Sequence, residues 1–180
     1  MAMSWKGLAV IAVILAVEAF PAAGQATVDV RKFLKENSLE EYHDRCVRYA
    51  AALADHKPET AGRILIESFP PTAPDRDRDT WRSATVQIAP HFLKGAEDLE
   101  LVGYQRLSGK VVALHYMEHG NLGPMAMLFM ACRVEGKWYT GYLSFETNGG
   151  KMLEMLKGTT RFSGDTVSPL KGVKGRLTMR

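Results

Sequence analysis

Met125-Ala126-Met127-Leu128-Phe129-Met130-Ala131-Cys132 runs for eight positions without a polar side chain. A strand with one face in water alternates polar and apolar residues, so a strand of this composition needs cover on both faces. One face is expected to meet helices. The other is expected to meet a second copy of the chain, a strongly curled part of the sheet or a ligand, while a simple buried core strand is the plain reading.

Working outward, the neighbouring runs keep the two-residue period of strands. Leu99 to Leu107, Lys110 to Glu118, Met125 to Val134 and Lys137 to Thr147 are four strand-like segments. Ser108-Gly109 and Glu135-Gly136 between neighbours are tight-turn pairs, which predicts antiparallel pairing. Residues 119–124, ending in Gly123-Pro124, make a longer connection. Gly149-Gly150 closes the last strand, and Met152 to Leu156 reads as a brief helix.

Before Leu99 the period changes to that of helices. Val28 to Glu36 reads as one short helix capped by Thr27 or Asp29. Ser38-Leu39-Glu40-Glu41 has the form of a capping box, in which hydroxyl and carboxylate each satisfy a free backbone N–H. Behind it Leu39, Tyr42, Cys46, Tyr49 and Leu53 recur at three- and four-residue steps, one apolar stripe of a helix. His56-Lys57 ends that helix, Pro58 opens the next, and Ala61, Ile64, Leu65 and Phe69 continue the stripe. Pro70, Pro71, Pro74 and the alternating Asp75-Arg76-Asp77-Arg78-Asp79 read as a linker. Trp81, Ala84, Thr85 and Ile88 fit a third short helix, although their alternation also fits a strand. The fold class expected is α+β, with N-terminal helices packed on a curved antiparallel sheet of about four strands.

Lys6 followed by the apolar run Gly7 to Val17, then Pro21 and small residues up to Ala26, matches a cleaved secretory signal. Eleven residues span about 16 Å as a helix, against about 30 Å of hydrocarbon, so no stable membrane span is expected after cleavage. The expected layout is a signal peptide at 1–26, a roll domain at 27–157, and a basic, flexible tail at 158–180. Export to the periplasm or beyond follows, and an intact Met1 in the purified protein would sink the cleavage. From Lys157 onward six basic residues face one acid, within an overall net charge of +3. A solvated tail accounts for this, and no nucleic-acid partner is expected.

Gly136-Lys137-Trp138-Tyr139-Thr140-Gly141-Tyr142-Leu143-Ser144-Phe145-Glu146-Thr147-Asn148, the Trp81 segment before the sheet, and the order of helices then strands resemble the nuclear-transport-factor-two-like superfamily, a cystatin-like α+β roll, in its small bacterial periplasmic members. The likeness covers roughly residues 38 to 157. It implies a cone-shaped cavity between helices and bent sheet, and in isomerase-like relatives a carboxylate and a hydroxyl donor inside that cone. Fold likeness alone does not assign a function. Tyr42, Trp81, His115, Met127 and Phe129 are the residues expected to line such a cavity.

His115-Tyr116-Met117-Glu118-His119 matches the His-x-x-Glu-His string of inverted zinc peptidases. That chemistry needs a helix, whereas here a strand enters a turn, which sets the two histidines about 13 Å apart at about 3.3 Å per residue. No metal and no cofactor are therefore expected. Cys46 and Cys132 are the only cysteines, and a bridge between them and two buried free thiols both fit the sequence. Phosphate loops, nucleophile elbows and metal-spaced cysteine pairs do not occur. The function expected is an exported binding or interaction module with an apolar cavity and no assigned catalysis. The alternatives are a small cone-cavity enzyme using His115 as acid or base, and a homodimeric scaffold, which a monomer in sedimentation at micromolar concentration would contradict.

Overall fold

The computed structural model describes residues 27–92, 96–120 and 123–170. The signal-like segment 1–26 and residues 171–180 of the basic stretch lie outside the described residues.

Four long strands form where the two-residue period predicts them: β2 (Asp98–Ser108), β3 (Val111–Gly120), β4 (Gly123–Val134) and β5 (Lys137–Glu146). They pair antiparallel in that order. Glu135 and Gly136 both take positive φ (49° and 83°), the geometry of a two-residue turn whose twist matches the strands it joins. Ahead of β2 the chain makes β1 (Val28–Asp29) and then α1 (Val30–Glu36), α2 (Glu40–Ala54), α3 (Pro58–Glu67) and α4 (Asp75–Ile88). After β5 come α5 (Gly149–Met155), β6 (Thr160–Ser163) and β7 (Val167–Pro169).

The sheet is larger than four strands. Among the described residues it has seven, mixed and open, in the order β1-β6-β2-β3-β4-β5, with β7 also paired to β2. The extra strands come from the stretch read as a tail: β6 pairs antiparallel to β2 at Gly103 and Tyr104 and parallel to β1 at Val28 and Asp29. Gly, Ser and Thr make that stretch look like linker, but Phe162 and Leu170 anchor it in the core. The folded domain therefore extends to Leu170 at least.

Two helix starts also differ from the reading. Ser38 takes φ 55° and Leu39 stands at the N-cap without a side-chain cap bond, so no capping box forms. Asp29 does cap α1, accepting from Lys32 N at 2.7 Å. The Asp-Arg repeat is not linker but the first turns of α4. Arg78 donates to the carbonyls of Pro70, Pro71 and Ala73, which ties the Pro-rich turn to the helix instead of leaving it in water.

The stripe on α2 lies flat against the sheet: Leu39, Tyr42, Cys46, Tyr49 and Leu53 are all buried. Each large apolar side chain so covered contributes about 1.5–3 kcal/mol of transfer free energy. Facing them are Leu99 and Leu101 of β2, Val112, Leu114 and Tyr116 of β3, and Met125, Met127, Phe129 and Ala131 of β4. Trp138, in the hairpin after β4, locks the helical layer to the sheet. Its indole N–H donates to the Asn37 carbonyl at 2.8 Å, while Arg45 donates to the Trp138 carbonyl at 2.8 Å.

The other face of β3 and β4 is covered in part. The chain leaves β5 at one side of the β3–β4 pair and joins β2 at the other. Thr159 packs where a Gly103 Cβ would stand, and Gly103 lies opposite His115. Opposite residues in an antiparallel pair share a face, so the α5–β6 connection closes over the outer face there. Ala113, His115 and Ala126 are buried on that side, whereas Leu128, Met130 and Cys132 are half-buried, so the two-sided burial inferred from Met125 to Cys132 is realised only in part.

Candidate functional site

Residues expected to line a cavity divide into three groups. Tyr42, Met127 and Phe129 do meet between helices and sheet, but as packed core. Phe129 stands edge-on to Tyr49 and Tyr116, with centroids 5.8 and 5.5 Å apart, and the three fill the space between helices and sheet. Trp81 sits at the β5 edge, half-buried against Phe69 and edge-on to Tyr142. His115 alternates to the opposite face from Leu114 and Tyr116, so it does not share the helix-facing interior with Tyr42 and Phe129. Strand parity alone, read from Leu114 and Tyr116, carries this correction.

Space remains at the open end of the roll. A cleft of about 320 Å³ lies between the turn after α4 and the β3–β4 and β5–α5 ends, lined by His91, Glu118, Met125, Thr147, Gly149 and Met152. Glu118 pairs with Met125 across the ladder and shares the concave face with Tyr116, with only 1% of its surface exposed. A carboxylate so placed is costly to bury unless its surroundings serve the charge. The sequence reading treated Glu118 only as part of the His-x-x-Glu-His string. Its parity with Leu114 and Tyr116 was the available signal that it faces inward.

A second cleft, of about 420 Å³, opens between α1, α2 and the edge strand β7. Its lining includes Leu34, Glu40, His43, Asp44, Val167 and Ser168. His43 Nδ1 meets the Tyr116 hydroxyl at 2.9 Å and Nε2 meets Ser168 Oγ at 3.4 Å. Burial pushes the His43 pKa below its ordinary value, opposed by nearby Asp44, so the ring is neutral at pH 7. The run of polar groups continues inward: Cys46 is buried with Tyr116 and Tyr42 in the core, and Tyr42 meets Thr140 Oγ1 at 3.2 Å. Burial drives the Cys46 thiol up to about 12 and both tyrosines well above their usual range. His43, Cys46, Tyr42 and Tyr116 are therefore all uncharged at pH 7. Neither His43 nor Ser168 stands in a motif legible in the sequence, because 125 residues separate them.

On the outer face, both ring nitrogens of His115 lack a hydrogen-bond partner among the described residues, as does Thr159 Oγ1. Burial lowers the His115 pKa to about 4. Cys46 and Cys132 are free thiols. Cys132 shares its ladder position with Val111 on the outer side, whereas Cys46 is in the helix-side core, so the sheet separates the pair left open by the sequence. The His-x-x-Glu-His string lies along β3, not on a helix. Among the described residues no three His, Cys, Asp or Glu side chains are grouped so as to hold a metal ion, and no helix is long and apolar enough to cross a membrane.

Neither a protein-family model nor a curated protein matches the chain.

Proposed function

We propose that the protein is an exported binding module that takes a small, partly apolar ligand carrying an amine or another hydrogen-bond donor, at the open end of the roll. The observation that carries this reading is Glu118, a carboxylate almost fully withdrawn from water yet lining a cleft. The acidic side chain of Glu118 beside the adaptable apolar walls of Met125 and Met152 favours a ligand with a cationic head and an apolar body. With Tyr42, Met127 and Phe129 occupying the interior, the ligand space is this mouth. Export is supported by Lys6 and the Gly7 to Val17 run.

The test is a titration of the isotope-labelled protein with benzylamine, benzoate and benzyl alcohol, followed by amide chemical shifts. Benzylamine should bind most tightly, moving the amides of Met125, Thr147 and Gly149. Thr147→Trp, which fills the mouth from an exposed position, should weaken it at least tenfold. A preference for benzoate, or an equal response in Thr147→Trp, overturns the proposal.

A further inference from the structure

The mouth cleft leaves the His43 cleft unexplained, and that second cleft has the parts of a reactive centre. A serine hydroxyl becomes a nucleophile when a neutral imidazole accepts its proton and a third group holds the ring. Here Ser168 Oγ is 3.4 Å from His43 Nε2, and Tyr116 holds Nδ1 at 2.9 Å. Catalytic contacts of this kind are commonly long before a substrate tightens them. The tautomer this requires carries its proton on Nδ1. Tyr116 can accept that proton's hydrogen bond on a lone pair of its hydroxyl oxygen. Three residues from three elements thus converge, and the packing of α2 on the sheet fixes two of them: Tyr116 is buried at the centre of β3 and stacks on the His43 ring at 5.8 Å.

The surrounding backbone adds an electrophilic element. Leu101 N–H donates to the Thr166 carbonyl, and Leu170 N–H donates to the Glu97 carbonyl. Positions 166, 168 and 170 therefore turn their peptide groups toward β2, by the strand period. Val167 N–H is left on the edge away from β2, next to Ser168 in the same cleft. A backbone N–H in that position can receive the oxygen of an attacked carbonyl.

Charge narrows the substrate. Glu40, Asp44 and Asp165 line the cleft, and its one cation, Arg31, is bound to Asp165 at 2.7 Å. Anionic acyl compounds are repelled, whereas neutral and cationic ones are not. Val30, Leu34 and Val167 supply an apolar wall for a short acyl chain.

We propose that this cleft is a second functional site at which Ser168 Oγ attacks the acyl carbon of small neutral or cationic esters, with His43 Nε2 as general base. In the first step the Oγ–C bond forms and the ester C–O bond breaks. The proton passes from Oγ to Nε2 and then to the departing alcohol oxygen. Water repeats the sequence in reverse roles, releasing the acid and restoring Ser168. Tyr116 is a positioning residue.

The experiment incubates the purified full chain with a neutral alkyl fluorophosphonate and locates the adduct by peptide mass mapping, alongside p-nitrophenyl acetate hydrolysis. The expected result is one adduct per chain on Ser168, and ester hydrolysis lost in Ser168→Ala. His43→Asn keeps a donor toward Tyr116 and removes Nε2, and should slow labelling about 100-fold with the circular dichroism spectrum unchanged. Should His43→Asn unfold, Ser168→Ala carries the test alone, since this edge-strand change leaves the core intact. An unlabelled Ser168 in folded protein, labelling at the same rate in folded His43→Asn, or undiminished hydrolysis by Ser168→Ala overturns the proposal.

Discussion

His115 costs the folded state more than it returns. Its imidazole is 2% exposed, neither nitrogen is bonded among the described residues, and a buried polar group left so is worth about 1–3 kcal/mol against folding. Replacing it with leucine, which fills the same space with apolar atoms, should raise stability at pH 7 by about 1 kcal/mol in urea unfolding. The pH dependence gives a sharper readout. The folded ring titrates near pH 4, against about 6.5 in an unfolded chain. Below pH 6.5 the unfolded chain binds a proton that the folded one refuses, so the contribution is fully present above 6.5 and is lost as pH falls toward 4. The shift corresponds to about 3 kcal/mol. Carboxylates titrate in the same window, so the measurement is the difference between wild type and His115→Leu, which should widen in favour of the variant between pH 6.5 and 4. Parallel stability curves would contradict the assignment.

At the scale of elements, the close approach of β6 to β2 depends on Gly103. A Cβ there would lie 2.5 Å from both the Thr159 methyl and the Thr160 carbonyl oxygen. A methyl can rotate aside, but the carbonyl belongs to the backbone that pairs with β2. Gly103→Ala should therefore cost about 1–3 kcal/mol and speed hydrogen exchange at residues 160–163 before the rest of the sheet. Adding Thr159→Ser should recover little of it. The same elements show what the sequence made legible. The α2 stripe from Leu39 to Leu53 and the runs flanking Met125 to Cys132 announced themselves by period, because one face or both are buried along their length. Strands β6 and β7 did not: four and three residues are too few to display a period, and Thr, Ser and Gly around Phe162 read equally well as linker. The Asp-Arg repeat misled for a related reason. A helix solvated over most of its first turns carries no stripe, and Arg78 closes onto Pro70 and Pro71 only once the chain has turned. The candidate site fared worse, since Glu118 was visible only through strand parity and the meeting of His43, Tyr116 and Ser168 is a product of the tertiary fold.

For the whole molecule, the boundary after β5 is the testable point. Phe162 packs on Phe33 and Tyr104, at 5.1 and 5.2 Å between centroids, and Leu170 is buried. Each such side chain is worth about 1.5–3 kcal/mol, and together with the lost ladder this is a large share of the 5–15 kcal/mol typical of a domain. A chain ending at residue 157 should be insoluble or lose its near-ultraviolet dichroism, whereas one ending at residue 170 should melt cooperatively within a few degrees of the full chain. Cooperative melting of the shorter form would mean that β6 and β7 are dispensable.

The parallel pairing of Val28 with Phe162, clasped by Arg31 on Asp165 across 134 residues, has a consequence for biogenesis. The segment that leaves the ribosome early is claimed by one that leaves late. Until then Phe33 has Tyr104 but not Phe162 to pack on, and a nascent chain arrested short of residue 160 stays more open to proteases around α1. The fold is thus a product of release rather than of elongation.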